Sequence, residues 1–364
     1  MTSRTHPYAA LPDAQFWERQ TRLEGAAIDA APKFGFSIAS DDFATAGSCF
    51  AQHFGRVLAQ RGGRVHMAET RHPLVPEEAA HGYGVFSARY GNLYTTRQFR
   101  ECVEQALGER PVVCDFAQRE DGRWIDLLRP RAVPEGFSSS EEAQADRHYH
   151  LTCVKQMLGA CRVLVFTLGL TESWINEKGR YSYAICPGVA AGEFDPAYHR
   201  FHNLSFEECA EDLRYLATRC QALNPSMKLL LTVSPVMLVA TMEGRGAIQS
   251  SVASKSILRA AADACVRAFE FADYFPSYEI IAGPQARGRF YAPDGRDVTA
   301  DGVRHVMDVF FATRMGSPPA AVTPADAVAG TTPSAQRSAL GDASLFDAEC
   351  DELMLGPPGR AGGG

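Results

Sequence analysis

Several absences bound what this chain can be. No two of its ten cysteines form a Cys-x-x-Cys pair, so the ligand spacing of zinc ribbons and the motif of thioredoxin-type redox sites are both missing. No long basic run occurs, and 36 Lys and Arg are outnumbered by 43 Asp and Glu, for a formal charge of −7. Nucleic acid is therefore not an expected partner. The longest apolar run, Val163 to Leu170, has eight residues, far short of the ~20 that a membrane-spanning helix needs. No membrane association is expected. The opening residues Met1-Thr2-Ser3-Arg4-Thr5-His6-Pro7-Tyr8 lack the apolar stretch of a secretory signal. A chain of 364 residues needs no disulfide staples. Its scattered cysteines, most of them inside apolar stretches, read as reduced thiols, and the expected setting is cytoplasmic.

What is present is an ordinary globular balance, 46% hydrophobic and 22% charged. Apolar runs bounded by turns alternate with amphipathic stretches. Phe43 to Gly47, Val163 to Leu168 and Lys228 to Val233 read as strands, the last two buried on both faces. A short strand is expected near Arg64–Ala68 and another strand-like piece over Asp273–Ile281. Helices are expected after Ala51, over Arg97–Leu107, Ser140–Gly159, Ser205–Leu223 and Ser254–Phe271, and from Thr299 onward. Ser205-Phe206-Glu207-Glu208 spells a capping box. Two hairpin-like insertions interrupt the alternation, at about residues 111–136 and 173–200. The expected fold class is α/β, a three-layer α/β/α sandwich on a mostly parallel sheet. Residues 1–35 read as an N-terminal arm, 36–315 as the main domain, and 316–364, rich in Ala, Pro, Ser, Gly and Thr, as a disordered tail. Within that tail, Leu345–Leu355 has the pattern of a short acidic amphipathic helix.

The chain is organised around Phe43-Ala44-Thr45-Ala46-Gly47-Ser48-Cys49-Phe50-Ala51. A strand ends at a glycine and a helix begins, with two nucleophile-capable side chains, Ser48 and Cys49, at the junction. Free backbone N–H groups at a helix N-terminus favour negative charge, whether on a thiolate or on an oxyanion. In parallel sheets ligands gather at the carboxyl ends of strands. The turns at Ser48/Cys49 and at Gly169 are both such ends. His199 and His202 form an HxxH with no third ligand in sight, and a polar loop is expected there. Lys255 reads as a solvated lysine or, alternatively, as an anion-binding one. Trp174, Tyr181 and Tyr183 read either as packing for the second insertion or as a wall for a sugar or acyl group.

Gly47-Ser48-Cys49-Phe50-Ala51, followed in order by Gly91-Asn92-Leu93-Tyr94-Thr95, Gly169, Ser254-Lys255-Ser256 and His305, resembles the GSCFA domain family over about residues 35–315. That family in turn resembles the SGNH (GDSL-like) esterase superfamily, whose fold is a three-layer sandwich with a flavodoxin-like parallel sheet. The resemblance implies acyl-transfer chemistry. The superfamily's Gly-Asp-Ser block falls on Gly47-Ser48-Cys49, so its nucleophile is Cys49 in strict register or Ser48 if the register slips. Gly91 takes the place of a backbone oxyanion donor, with Asn92 beside it. The Gly-x-Asn-Asp block falls on Gly169-Leu170-Thr171-Glu172, with Thr171 where the family has Asn. The last block brings His305 as base, with Asp301 four residues earlier to orient it.

The function so implied is that of an ester hydrolase or O-acyltransferase acting on a carbohydrate or small metabolite. An acyl thioester is a candidate donor, and no metal or other cofactor is required. The alternative is a non-catalytic binding protein that uses the same crevice.

Overall fold

A computed structural model describes residues 6–22, 28, 32–38, 40–71, 82–315 and 355. The expected tail lies outside the described residues apart from Leu355, and so does nearly all of its acidic segment. In chain order the elements are α1 (Trp17–Gln20), β1 (Asp42–Gly47), α2 (Cys49–Gln60), β2 (Arg64–Val65), α3 (Thr96–Ala106), β3 (Phe116–Gln118), β4 (Trp124–Asp126) and α4 (Ser140–Ala160). Then follow β5 (Val163–Leu168), β6 (Glu172–Asn176), β7 (Tyr181–Tyr183), β8 (His199–Asn203), α5 (Phe206–Leu223) and β9 (Lys228–Val233). The chain continues through α6 (Ala247–Ala268), β10 (Ala272–Tyr274), α7 (Ser277–Ala282) and α8 (Ala300–Arg314).

Five strands make one sheet in the order β10-β9-β5-β1-β2, and every pairing in it is parallel. The central strands β5 and β9 are buried on both faces, which is why they read as unbroken apolar runs rather than alternating ones. Ala44, Ala46, Leu164, Phe166, Leu229 and Leu231 pack against α3, α4, α5 and α6. Phe43, Val163, Val165 and Leu230 point the other way, into Phe50, Phe54, Val306 and Phe310 of α2 and α8. The result is the expected three-layer α/β/α arrangement.

Both insertions form small antiparallel sheets of their own. β3 and β4 pair as a hairpin, and β6 lies between β7 and β8. Asp115, ahead of β3, accepts hydrogen bonds from the hydroxyls of Tyr181 and Tyr183, each at 2.6 Å. These tyrosines therefore tie one insertion to the other. Trp174 packs edge-on against Phe194 and Phe201.

Three local expectations are corrected. His199 to Asn203 is a strand, not a loop. On a strand, residues three apart face opposite sides. His202 accordingly meets Glu208 at 2.8 Å while His199 accepts from the Asp195 N–H, so the HxxH is not a ligand pair. The strand-like piece at 273–281 is a three-residue strand, β10, followed by Pro276 and α7. Proline has no N–H to continue a ladder, and the Ser277 hydroxyl donates instead to the Val233 carbonyl. Finally, α6 starts at Ala247, seven residues before the expected Ser254. Its first turns bury Ser250, Ser251 and Ser254 while Ile248 is 82% and Val252 is 52% exposed. That reverses the apolar-inward pattern by which a helix is read.

Candidate functional site

The five strands of the main sheet, counted in chain order, lie as 2-1-3-4-5. The order reverses between β1 and β5, and in open α/β sheets the crevice at such a switch point is where ligands bind. Gly47 ends β1 there. Its φ is +131°, and an added Cβ would lie 2.2 Å from the Thr167 carbonyl oxygen of β5. The position thus excludes any side chain, and it lets the two strand ends close against each other. The Ser48 N–H bonds the same Thr167 carbonyl at 3.1 Å.

Ser48 is the N-cap of α2, but its side chain makes no capping bond. Its Oγ is buried without a hydrogen-bond partner, and the residue is 2% exposed. Cys49, the first residue of α2, is 5% exposed. Gly169, after β5, presses on this turn: a Cβ there would stand 2.9 Å from both Ser48 Cβ and the Tyr94 carbonyl oxygen. That carbonyl accepts from the N–H groups of Gly169 and Leu170, both at 3.0 Å. Leu93 N–H bonds the Gly47 carbonyl at 2.9 Å, which draws the 91–94 segment onto the turn.

From the far side comes Lys255 of α6. It is 2% exposed, and its Nζ donates to the Gly169 carbonyl at 2.6 Å. The neighbouring hydroxyls serve the same strand ends. Ser254 Oγ accepts from the Thr171 N–H at 3.0 Å and Ser251 Oγ from the Leu238 N–H at 3.2 Å. This explains the reversed face of α6: its polar residues turn inward because backbone groups at the strand ends need them. Ser48, Cys49, Tyr94, Gly169, Leu170, Ser234, Leu238 and Lys255 enclose a void of about 10 Å³. Val236, Met237 and Leu238 close it from the segment after β9, and Glu172 holds that segment through Thr241 and the Met242 N–H.

The predicted site residues are thus partly gathered. Ser48, Cys49 and Gly169 share this void. Gly91 and Asn92 line a neighbouring one with Gln52, whose Nε2 donates to Asn92 Oδ1 at 3.1 Å. Thr171 is fully buried, its Oγ1 has no partner, and it lines neither void. His305 is half-buried in the second turn of α8 and stacks on Phe290, ring centroids 4.8 Å apart. It too is absent from the linings of both voids. Asp301 stands differently from the expectation: its side chain is 79% exposed and pairs with Arg304. An i,i+4 pair shares a helix face, but the inward face of α8 is Gly302, Val303, Val306, Met307 and Phe310.

Sequence reading missed Gln52 and left Lys255 between a solvated and an anion-binding role. A signal existed for each. Gln52 interrupts the apolar stripe of α2 one turn after Ser48, and Lys255 sits on the line Ser251, Lys255, Leu258, Ala262.

A larger concavity, about 890 Å³, lies between α3, α5 and the β6–β7–β8 sheet. Four of its five arginines are matched by carboxylates: Arg97 with Asp212, Arg100 with Glu104, Arg110 with Glu101, and Arg200 with Glu177. Burial raises Glu101 to about 7, against the pull of the Ser182 N–H and Arg110. Among the described residues no three His, Cys, Asp or Glu stand together as metal ligands, and no helix is long and apolar enough to cross a membrane.

The family model of the GSCFA family matches residues 42–310. No curated protein matches the chain. One solved crystal structure is similar at 15% identity over 43% of this chain, with a TM-score of 0.25. This chain spans 64% of that protein's length, less than two thirds, and a likeness at that score carries no argument.

Proposed function

The chain belongs to the GSCFA family, and from that premise we propose that it is an acyl-transfer enzyme, an ester hydrolase or O-acyltransferase whose nucleophile sits in the Ser48–Cys49 turn. One observation carries the reading. Two nucleophile-capable side chains stand at the sheet's switch point, buried together against a lysine, and the Ser48 hydroxyl has no partner within the protein. A buried unsatisfied hydroxyl costs about 1–3 kcal/mol, and each such group calls for an explanation. A bound acyl or acceptor group supplies one.

In the reaction the nucleophile attacks an ester or thioester carbonyl and forms an acyl-enzyme, which water or an acceptor hydroxyl then resolves. The oxygen that becomes negative is held by backbone N–H groups at the start of α2, with the Asn92 side chain beside the turn. His305 acts as the base. The substrate class is a carbohydrate or small-metabolite ester, with an acyl thioester as donor when the outcome is transfer. This chemistry calls on no metal, nucleic acid or membrane, and it suits a cytoplasmic setting.

The test is intact-mass detection of an acyl adduct after mixing with p-nitrophenyl acetate, followed by peptide mapping. An adduct on residue 48 or 49 supports the reading. Turnover without a modified residue in this turn, or no reaction with any activated acyl donor, removes it. A second reading, a binding protein using the same crevice, is favoured by the exposed, Arg304-paired state of Asp301.

A further inference from the structure

We infer that Lys255 is the counter-ion of the nucleophile: its ammonium holds the negative charge that Cys49 carries as a thiolate and that passes to the substrate oxygen during acyl transfer. The inference rests on the Cys49 form of the proposed function. Four observations carry it.

Lys255 lines the same void as Ser48 and Cys49. The ammonium is fixed rather than roaming, since its bond to the Gly169 carbonyl at 2.6 Å anchors it to a glycine that touches Ser48. A lysine that is 2% exposed has given up hydration. Burying a cation is costly unless charge or hydrogen bonds compensate, and a thiolate in the same void adds charge compensation to the hydrogen bonding that Lys255 already makes. The fourth observation is the helix that carries it. The N-terminal half of α6 turns Ser250, Ser251, Ser254 and Lys255 inward and leaves Ile248 and Val252 in solvent. Ser251 and Ser254 turn inward to meet the Leu238 and Thr171 N–H groups, and the same face delivers Lys255 to the Gly169 carbonyl beside the turn.

The proton balance is simple. The resting site holds a thiolate and an ammonium, the thiol proton having gone to solvent. Attack on the acyl carbonyl forms the S–C bond and moves the negative charge to the carbonyl oxygen. Collapse expels the leaving alkoxide or thiolate, which takes its proton from water. Lys255 remains protonated throughout, so it is an electrostatic and positioning group rather than the base.

The experiment reads the thiolate directly and needs no substrate. Far-ultraviolet thiolate absorbance is followed against pH for the full chain, with the Cys49→Ala protein subtracted to isolate residue 49. This is repeated in Lys255→Gln, which keeps a donor for the Gly169 carbonyl but loses the charge, and in Lys255→Arg, which keeps the charge. The expected result is a Cys49 titration well below the ordinary thiol value of about 8.5, moved up by at least about one unit in Lys255→Gln and by less than half of that in Lys255→Arg. Near-ultraviolet circular dichroism confirms that each variant is folded. An unchanged titration in folded Lys255→Gln overturns the inference. A wild-type titration at or above about 8.5 also overturns it, without recourse to any variant. Failure of the proposed function looks different: Cys49 titrates low and responds to Lys255, yet no acyl adduct forms with activated esters.

Discussion

Replacing Gly47 by alanine tests the geometry on which the site depends. Two costs add. At φ +131° an L-residue is strained by about 1–3 kcal/mol. The new methyl would also lie 2.2 Å from the Thr167 carbonyl oxygen and 2.8 Å from the Thr167 nitrogen. These are backbone atoms locked in β5, with β9 bonded on its other side, so the neighbour cannot swing away as a side chain would. Overpacking of this kind costs about 1–3 kcal/mol. The lower conformational entropy of the unfolded alanine chain returns about 0.4–1 kcal/mol. The net loss expected is about 1–5.6 kcal/mol, centred near 3, a large share of the 5–15 kcal/mol that holds a typical domain. Urea denaturation followed by circular dichroism measures it. Gly108→Ala is the control. That glycine has φ +75° but nothing within 4 Å of an added Cβ, so it should lose only the backbone part, about 1–2 kcal/mol. If Gly47→Ala costs no more than Gly108→Ala, the strand ends do not close as described, and the placement of Ser48 against Gly169 goes with them.

Other outcomes follow from the same structure. With a confirmed acyl donor, Cys49→Ala should abolish the acyl adduct while Ser48→Ala keeps part of the rate; the reverse pattern, read by intact mass, assigns the nucleophile to Ser48. His305→Ala should slow acylation by about 10²–10⁴-fold if it is the base, with little change in urea midpoint, and an unchanged rate excludes it. The buried Glu69–His150 pair, 2.7 Å apart, should make the fold acid-labile. Burial and the Arg129 charge push His150 down to about 4, so it folds neutral. Burial alone would raise Glu69, but the His150 and Arg129 charges outweigh it and hold the carboxyl near 2. Both folded values lie below their unfolded ones, 6.5 and 4.5, so stability is complete above those values and drains away as pH falls. Glu101, raised to about 7, has the opposite sign. The His150 part is therefore read as the difference in urea midpoint between wild type and His150→Gln, and it should shrink between pH 6.5 and 4; a constant difference refutes it.

Much of the fold was legible because the signals are physical and local. The buried strands β5 and β9 are unbroken apolar runs, the one pattern that a strand covered on both faces permits. Ser205 and Glu208 spell a capping box, and both of its hydrogen bonds form. Thr95 and Gln98 make the same box at α3, where only the helix and not its cap was read. What escaped were elements whose pattern answers to neighbours far along the chain. β8 is polar because it is the edge of a small sheet beside α5, with His202 against Glu208. The start of α6 is hidden because its serines satisfy N–H groups on Thr171 and Leu238. No periodicity computed along α6 alone contains those partners.

The site shows the same division, and it bears on how the chemistry should be sought. The Gly47–Cys49 turn is a contiguous motif, so it could be found without a structure. Lys255 was read first as solvated because a lysine near a helix start is usually that. Only the structure makes the segments after β1, after β5 and within α6 converge on one void. Ser48, Thr167 and Thr171, at the carboxyl ends of β1 and β5, each keep a buried hydroxyl without a partner. An apolar replacement of similar shape would remove that penalty of about 1–3 kcal/mol per group. Local rules broken together, in one place and without repayment in stability, are what a functional site looks like from the energetic side. In the 890 Å³ groove Arg97, Arg100, Arg110 and Arg200 are matched by carboxylates. In the smaller void the buried hydroxyl of Ser48 has no partner within the protein.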